Sequence, residues 1–189
     1  MIKRDLVLFE KGGLDNTVPA LEAARKRAEE LDIKKVVLAT STGRTALMAL
    51  DVFRGLDVDI IGVTLHAAYW PIYAAPEETK VAAARAQGVK FLTATHSLMG
   101  NVEAAIRDKF GGLPPAELIA HTYYTFSQGM KVAVEVALMA ADAGLVENGE
   151  EIIAMGGTDV GADTAVVLKA ACTTNFFDLK VREVIAMPR

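Results

Sequence analysis

Four short stretches of this sequence place hydroxyls, imidazoles, glycines and carboxylates where chemistry is done. They are Thr40-Ser41-Thr42-Gly43-Arg44-Thr45, Thr64-Leu65-His66-Ala67-Ala68-Tyr69-Trp70, Thr95-His96-Ser97, and the run from Gly156 to Thr164. The first is the most specific. It leaves an apolar run and opens a helical pattern, so backbone N–H groups there lack helical partners and the helix dipole favours an anion. Thr40, Ser41, Thr42 and Thr45 can donate hydroxyls to phosphate oxygens, Gly43 allows close backbone approach, and Arg44 adds a cation. The same residues would also serve as a plain helix cap, and the stretch lacks the G-K-[ST] ending of a P-loop.

His66 and His96 each follow an apolar run by a few residues. Both can point into one crevice, as ligand donors or as acid/base groups. Tyr69 and Trp70 offer a flat surface for a ring, or alternatively packing or an interface. The run Gly156-Gly157-Thr158-Asp159-Val160-Gly161-Ala162-Asp163-Thr164 carries three glycines and two carboxylates. It reads as a tight connection between strands or as a second ligand-contacting loop. No ligand set with metal-binding spacing accompanies it, and no metal site is expected. No G-x-S-x-G elbow supports a Ser–His–Asp arrangement. His121 and Cys172 read as structural, and no catalytic residue is assigned.

The elements that must position these loops alternate. Apolar runs at 6–9, 36–39, 58–63, 89–92, 152–155, 164–168 and 181–186 read as strands, several of them apolar at every position. Between them lie helical patterns over 18–31, 46–53, 76–87 and 115–143, the last with Gly129 as a possible bend and Gly144 as its stop. Apolar strands separated by helices predict a three-layer α/β/α domain whose sheet is mixed and mostly parallel. The closing strands are joined by loops alone, so at least one runs antiparallel. In such a sheet, ligands bind beyond the carboxyl ends of the strands, where all four stretches fall.

Composition bounds the rest. The chain has 189 residues, 52% of them hydrophobic, and a net charge of −4. These values suit one domain spanning residues 1–189. The basic residues are dispersed, which argues against nucleic-acid or membrane-surface partners. The single cysteine forbids an internal disulfide, and no signal peptide or membrane span is evident. A cytoplasmic location is expected.

The stretch Val37-Leu38-Ala39-Thr40-Ser41-Thr42-Gly43-Arg44-Thr45-Ala46 resembles the strand and phosphate-gripping loop of the pyruvate kinase C-terminal domain, V-L-T-K-S-G-R-[ST]-A. Glu151 to Gly161 resembles that family's strand followed by a T-G-W-R-P-G-S-G loop. The whole chain is similar to small stand-alone relatives of this domain in archaea and some bacteria. It shares with them Val63-Thr64 with His66, Asn175-Phe176-Phe177-Asp178 and the Met187-Pro188-Arg189 ending. The resemblance implies that the strands before Thr40 and Gly156 are neighbours and that their loops flank one crevice. It also implies a phosphorylated small-molecule ligand, with flavin mononucleotide (FMN) the leading candidate. Thr158-Asp159 stands where the kinase has Trp-Arg, so a sugar bisphosphate would lose a cation and meet a carboxylate. The kinase's catalytic barrel has no counterpart here, and no pyruvate kinase activity is expected. Two alternatives stay open: a flavin-dependent oxidoreductase or sugar-phosphate enzyme using the same site, and a regulatory or homo-oligomerising module.

Overall fold

The computed structural model describes residues 1–189. Seven strands form one sheet in the order β1-β7-β6-β5-β2-β3-β4. They are β1 (Val7–Phe9), β2 (Lys35–Ala39), β3 (Asp59–Val63), β4 (Lys90–Leu92), β5 (Glu151–Gly156), β6 (Thr164–Lys169) and β7 (Lys180–Pro188). β6 runs antiparallel to both β5 and β7, and every other pairing is parallel. The expected mixed, mostly parallel sheet is therefore observed.

There are six α-helices: α1 (Thr17–Leu31), α2 (Arg44–Val52), α3 (Glu78–Ala86), α4 (Val102–Phe110), α5 (Pro115–Tyr124) and α6 (Gln128–Asp142), of which α1, α2, α3 and α6 pack on the sheet. Strand alternation sorts the core into two layers. Val36 and Leu38 of β2 and Ile153 and Met155 of β5 pack with Ala20, Leu21 and Ala24 of α1 and Ala46 and Ala49 of α2. Val37, Ile61, Ile152 and Ala154 face the other way, onto Met130, Ala133, Ala137 and Ala140 of α6. Each fully buried Leu, Ile or Val contributes about 1.5–3 kcal/mol, and Leu21, Leu38, Ile61, Ile152 and Ile153 are all of this kind.

Helix ends follow local chemistry. α1 stops where Asp32 turns left-handed at φ 55°. Asn101 caps α4 by accepting the Glu103 N–H at 2.9 Å. The long helical pattern beyond Pro115 is broken at Thr125–Ser127, not at Gly129. The Ser127 hydroxyl accepts the Met130 N–H at 2.9 Å, and this cap starts α6. Gly129 instead lies where the start of α6 meets the strands; a Cβ there would collide with Thr164 and Asp163. α4 was not evident from the sequence, because its apolar Val102, Ile106 and Phe110 are exposed rather than turned to the core.

The strands progress outward from β2 through β3 to β4, with α2 and α3 as crossovers. The chain then returns through α4, α5 and α6 on the opposite face and enters the sheet as β5, on the other side of β2. β2 and β5 thus flank the switch point, where α/β sheets open a crevice at their carboxyl edge.

Candidate functional site

At this edge β2 runs into the Thr40–Thr45 loop. Gly43 adopts φ 89°, and a Cβ there would stand 3.1 Å from the Val81 backbone nitrogen, so α3 and the turn both require glycine. The loop caps its own helix in part. The Thr40 hydroxyl accepts the Ala46 N–H and the Thr42 hydroxyl the Arg44 N–H, each at 3.3 Å. Thr40 and Thr45 are buried, and Ser41, Thr42 and Arg44 are half-buried. The amides of Ser41, Thr42, Gly43 and Thr45 donate to no group of the protein. Their number and the dipole of α2 suit an anion.

Beside the loop, on the α6 face of the sheet, lies a cavity of about 300 Å³. Ala39, Val63 and Leu65 form its floor. Tyr69, Tyr73, His96, Met99 and Tyr124 wall it, and Ser41, Thr64, Lys131 and Glu135 bring polar atoms. Ser41 belongs to both features; its hydroxyl also accepts the Leu65 N–H at 3.4 Å. The cavity and the loop are therefore contiguous.

The cavity's charge centre is Glu135, almost wholly buried on α6. Its Oε1 accepts the N–H groups of Leu98 and Met99, both at 3.0 Å, which fixes the segment after β4. Its Oε2 accepts from Lys131 Nζ at 2.5 Å, one turn earlier, and lies 3.4 Å from His96 Nδ1. Burial alone would push this carboxyl up, but the His96 and Lys131 partners outweigh it and hold Glu135 down at about 2. His66 and His96, expected to share a crevice, lie edge to face with ring centroids 5.3 Å apart, but only His96 lines the cavity. The Tyr69 ring packs tilted against His66, with centroids 4.1 Å apart. Burial, and then the neighbouring His96, lower the pKa of His66. The Nε2 atoms of these two imidazoles are the buried side-chain polar atoms left without a hydrogen bond. Such an atom costs about 1–3 kcal/mol when nothing pairs with it.

Lys131, Glu135, Tyr73, Met99 and Tyr124 were not singled out from sequence. The available signal was the pair Lys131 and Glu135, four residues apart in an otherwise apolar helix, where buried charges demand partners. Trp70 turns elsewhere, its indole N–H donating to the Leu65 carbonyl at 2.7 Å.

The second glycine-bearing loop has a different part. None of Gly156, Gly157, Thr158, Gly161, Asp163 or Thr164 lines the cavity. Asp163 and Thr164 have no exposed surface. Asp163 Oδ2 accepts the N–H groups of Gly13 at 2.9 Å and Thr158 at 3.0 Å, and Oδ1 accepts the Thr164 hydroxyl at 3.0 Å. Thr164 is in turn 3.0 Å from the Ser127 hydroxyl, and the Ala162 N–H donates to Thr17 at 3.1 Å. The loop ties the start of α1 and the cap of α6 to the sheet. The two loops are neighbours, as β2 and β5 pair in parallel, but only the first borders the cavity.

A larger open groove of about 750 Å³ lies at the far edge, beside Ile2–Asp5 and β7. Its buried Arg27 is already paired bidentately with Glu183, at 2.7 and 2.6 Å, and with Glu30. No group of three or more His, Cys, Asp or Glu side chains is placed to hold a metal ion. No helix is long and apolar enough to cross a membrane.

Among solved structures, the chain is similar to a pyruvate kinase from Cryptosporidium parvum, with 17% identity and a TM-score of 0.43 over 84% of this chain and 23% of that one. A Cryptosporidium parvum pyruvate kinase in complex with ADP gives 16% identity and a TM-score of 0.42, over 84% of this chain and 24% of that one. The chain spans about a quarter of the length of these enzymes. The sequence family described as pyruvate kinase, alpha/beta domain, matches residues 20–168. With most of its length matched, this chain belongs to the pyruvate kinase alpha/beta domain family.

Proposed function

We propose that the protein binds a phosphorylated small molecule bearing a flat ring, with FMN the leading candidate, at the carboxyl edge of the sheet. The observation that carries this reading is the contiguity of two features through Ser41. The unpartnered amides at the start of α2 suit a phosphate, and the aromatic-walled cavity beside them suits a ring. About 300 Å³ is at the small end of ligand pockets, enough for one ring system with its phosphate outside. The choice of a flavin rests on the resemblance to the stand-alone relatives. The phosphate contacts fall to Ser41, Thr42, Gly43, Arg44 and Thr45, and the ring contacts to Tyr69, Tyr73, His96 and Tyr124.

A titration of wild type with FMN, riboflavin and a sugar phosphate tests the reading. Charge-assisted hydrogen bonds contribute about 1.5–3 kcal/mol each. Removing the two half-buried hydroxyls in a Ser41→Ala/Thr42→Ala variant should therefore weaken FMN binding by roughly two to four orders of magnitude. Riboflavin should bind weakly to both proteins. Equal affinity for riboflavin and FMN would refute the phosphate assignment.

A further inference from the structure

Two buried imidazole nitrogens lack partners, on rings whose centroids are 5.3 Å apart, and nowhere else in the chain does a buried side-chain polar atom lack a hydrogen bond; of the two rings only His96 lines the cavity. Folded proteins rarely leave such atoms unpaired, and a cluster of them points to an occupant that supplies the missing partner. The geometry goes further for His96 than for His66. His96 lines the cavity, and its Nδ1 lies 3.4 Å from Glu135 Oε2. That carboxylate is itself immobilised by two backbone N–H groups and by Lys131. A carboxylate on one ring nitrogen places the proton there and leaves the other nitrogen as a free base.

We propose that His96 is the proton acceptor of this cavity, with Glu135 as its positioning residue, and that the ligand presents an N–H or O–H group to His96 Nε2. In the transfer, the ligand's N–H or O–H bond breaks and its electron pair stays on the ligand atom. A new Nε2–H bond makes His96 an imidazolium against Glu135. No oxidant, reductant or second substrate is needed, and the reverse step returns the proton. The charged and titratable groups around His96 and its cavity are Glu135 and Lys131 from α6, His66, Tyr69 and Tyr73 from the segment after β3, and Tyr124 from α5. Tyr124 is kept protonated by its burial and then by the charge of Glu135, so it is no rival base. The proposal rests on the cavity being the ligand site, but not on the ligand being a flavin.

Two measurements on the intact, ligand-free protein decide it. Nitrogen NMR of the histidine rings, assigned with His96→Gln and His66→Gln variants, should show the His96 proton on Nδ1, the nitrogen facing Glu135. A proton fixed on Nε2 would overturn the proposal. Acylation by diethyl pyrocarbonate, mapped by mass spectrometry, should modify His96, more slowly than the exposed His121 of α5 because His96 Nε2 is buried. Reaction at His121 without His96 would also overturn it. In Glu135→Gln the His96 rate should fall by roughly tenfold or more, because an amide can stabilise the wrong tautomer, while His121 stays unchanged. Should that variant fail to fold, the two wild-type results still decide. Excess FMN should protect His96 and not His121. His96 that reacts equally with and without FMN would refute the flavin reading and leave the base assignment standing.

Discussion

Replacing Asp163 by alanine should cost stability. Its Oδ2 accepts two backbone N–H groups, from Gly13 and Thr158, and Oδ1 accepts the Thr164 hydroxyl, with no part of the residue exposed. The substitution strands two part-buried backbone donors, at about 1–3 kcal/mol each. Thr164 keeps its contact with Ser127, so its loss is smaller. The sum is about 2–6 kcal/mol, which for a chain of this size lowers the thermal midpoint by roughly 5–20 °C. Scanning calorimetry or circular dichroism of the purified variant measures the shift, with Asp159→Ala as an exposed control in the same loop. Its ligand affinity, measured where both proteins are folded, should stay near that of wild type. An Asp163→Ala protein with an unchanged midpoint and weakened FMN binding would refute the structural assignment and return Asp163 to the ligand.

Acid should destabilise the fold through Glu135. Its folded pKa is about 2, below the ordinary 4.5, so the unfolded state takes up the proton first as pH falls. The stabilisation is complete above about pH 5 and lost progressively towards pH 2, by on the order of 3 kcal/mol. Urea titrations across that window should show the decline, and a Glu135→Gln protein should show a shallower one. Gly156→Ala should be destabilised by at least about 1–3 kcal/mol, because its Cβ would press on the Val132 side chain and the backbone of α6; an unchanged unfolding midpoint would contradict this close approach. A coupled assay with phosphoenolpyruvate, ADP and Mg²⁺ should give no protein-dependent pyruvate, and measurable turnover would show that a catalytic site has been overlooked.

Much of the fold was legible because its strands are short apolar runs that can only be buried. Val36–Ala39, Val58–Val63 and Ile152–Met155 could be read as parallel-sheet strands without any partner in view. An antiparallel member among the closing strands followed from the lack of a helical pattern between them, and the structure shows it to be β6. α4 escaped notice because its apolar residues do not face the core, so its pattern carries no burial signal. The break before α6 was set by the Ser127 cap, a stronger local event than the glycine two residues on.

The site was legible only as far as strand ends could be placed. His66 and His96 met because β3 and β4 are parallel neighbours ending at the same edge. Lys131 and Glu135 reach that edge from another face, through a helix joined to the segment after β4 by contacts between residues 36 and 37 apart in sequence. No local pattern encodes such contacts. The bonds from Asp163 to Gly13 and from Ala162 to Thr17 span about 150 residues, which is why a glycine-rich turn looked like a second ligand loop.

The central claim is that the α2 amides and the adjoining cavity take one phosphorylated, ring-bearing ligand. Its most direct test is to incubate the protein with excess FMN, remove unbound flavin by gel filtration, denature the protein, and record the absorption and mass spectra of what is released. The account predicts FMN in stoichiometric amount, with little retained after the same treatment with riboflavin. Protein that emerges free of flavin, or that retains riboflavin as well as FMN, would contradict it.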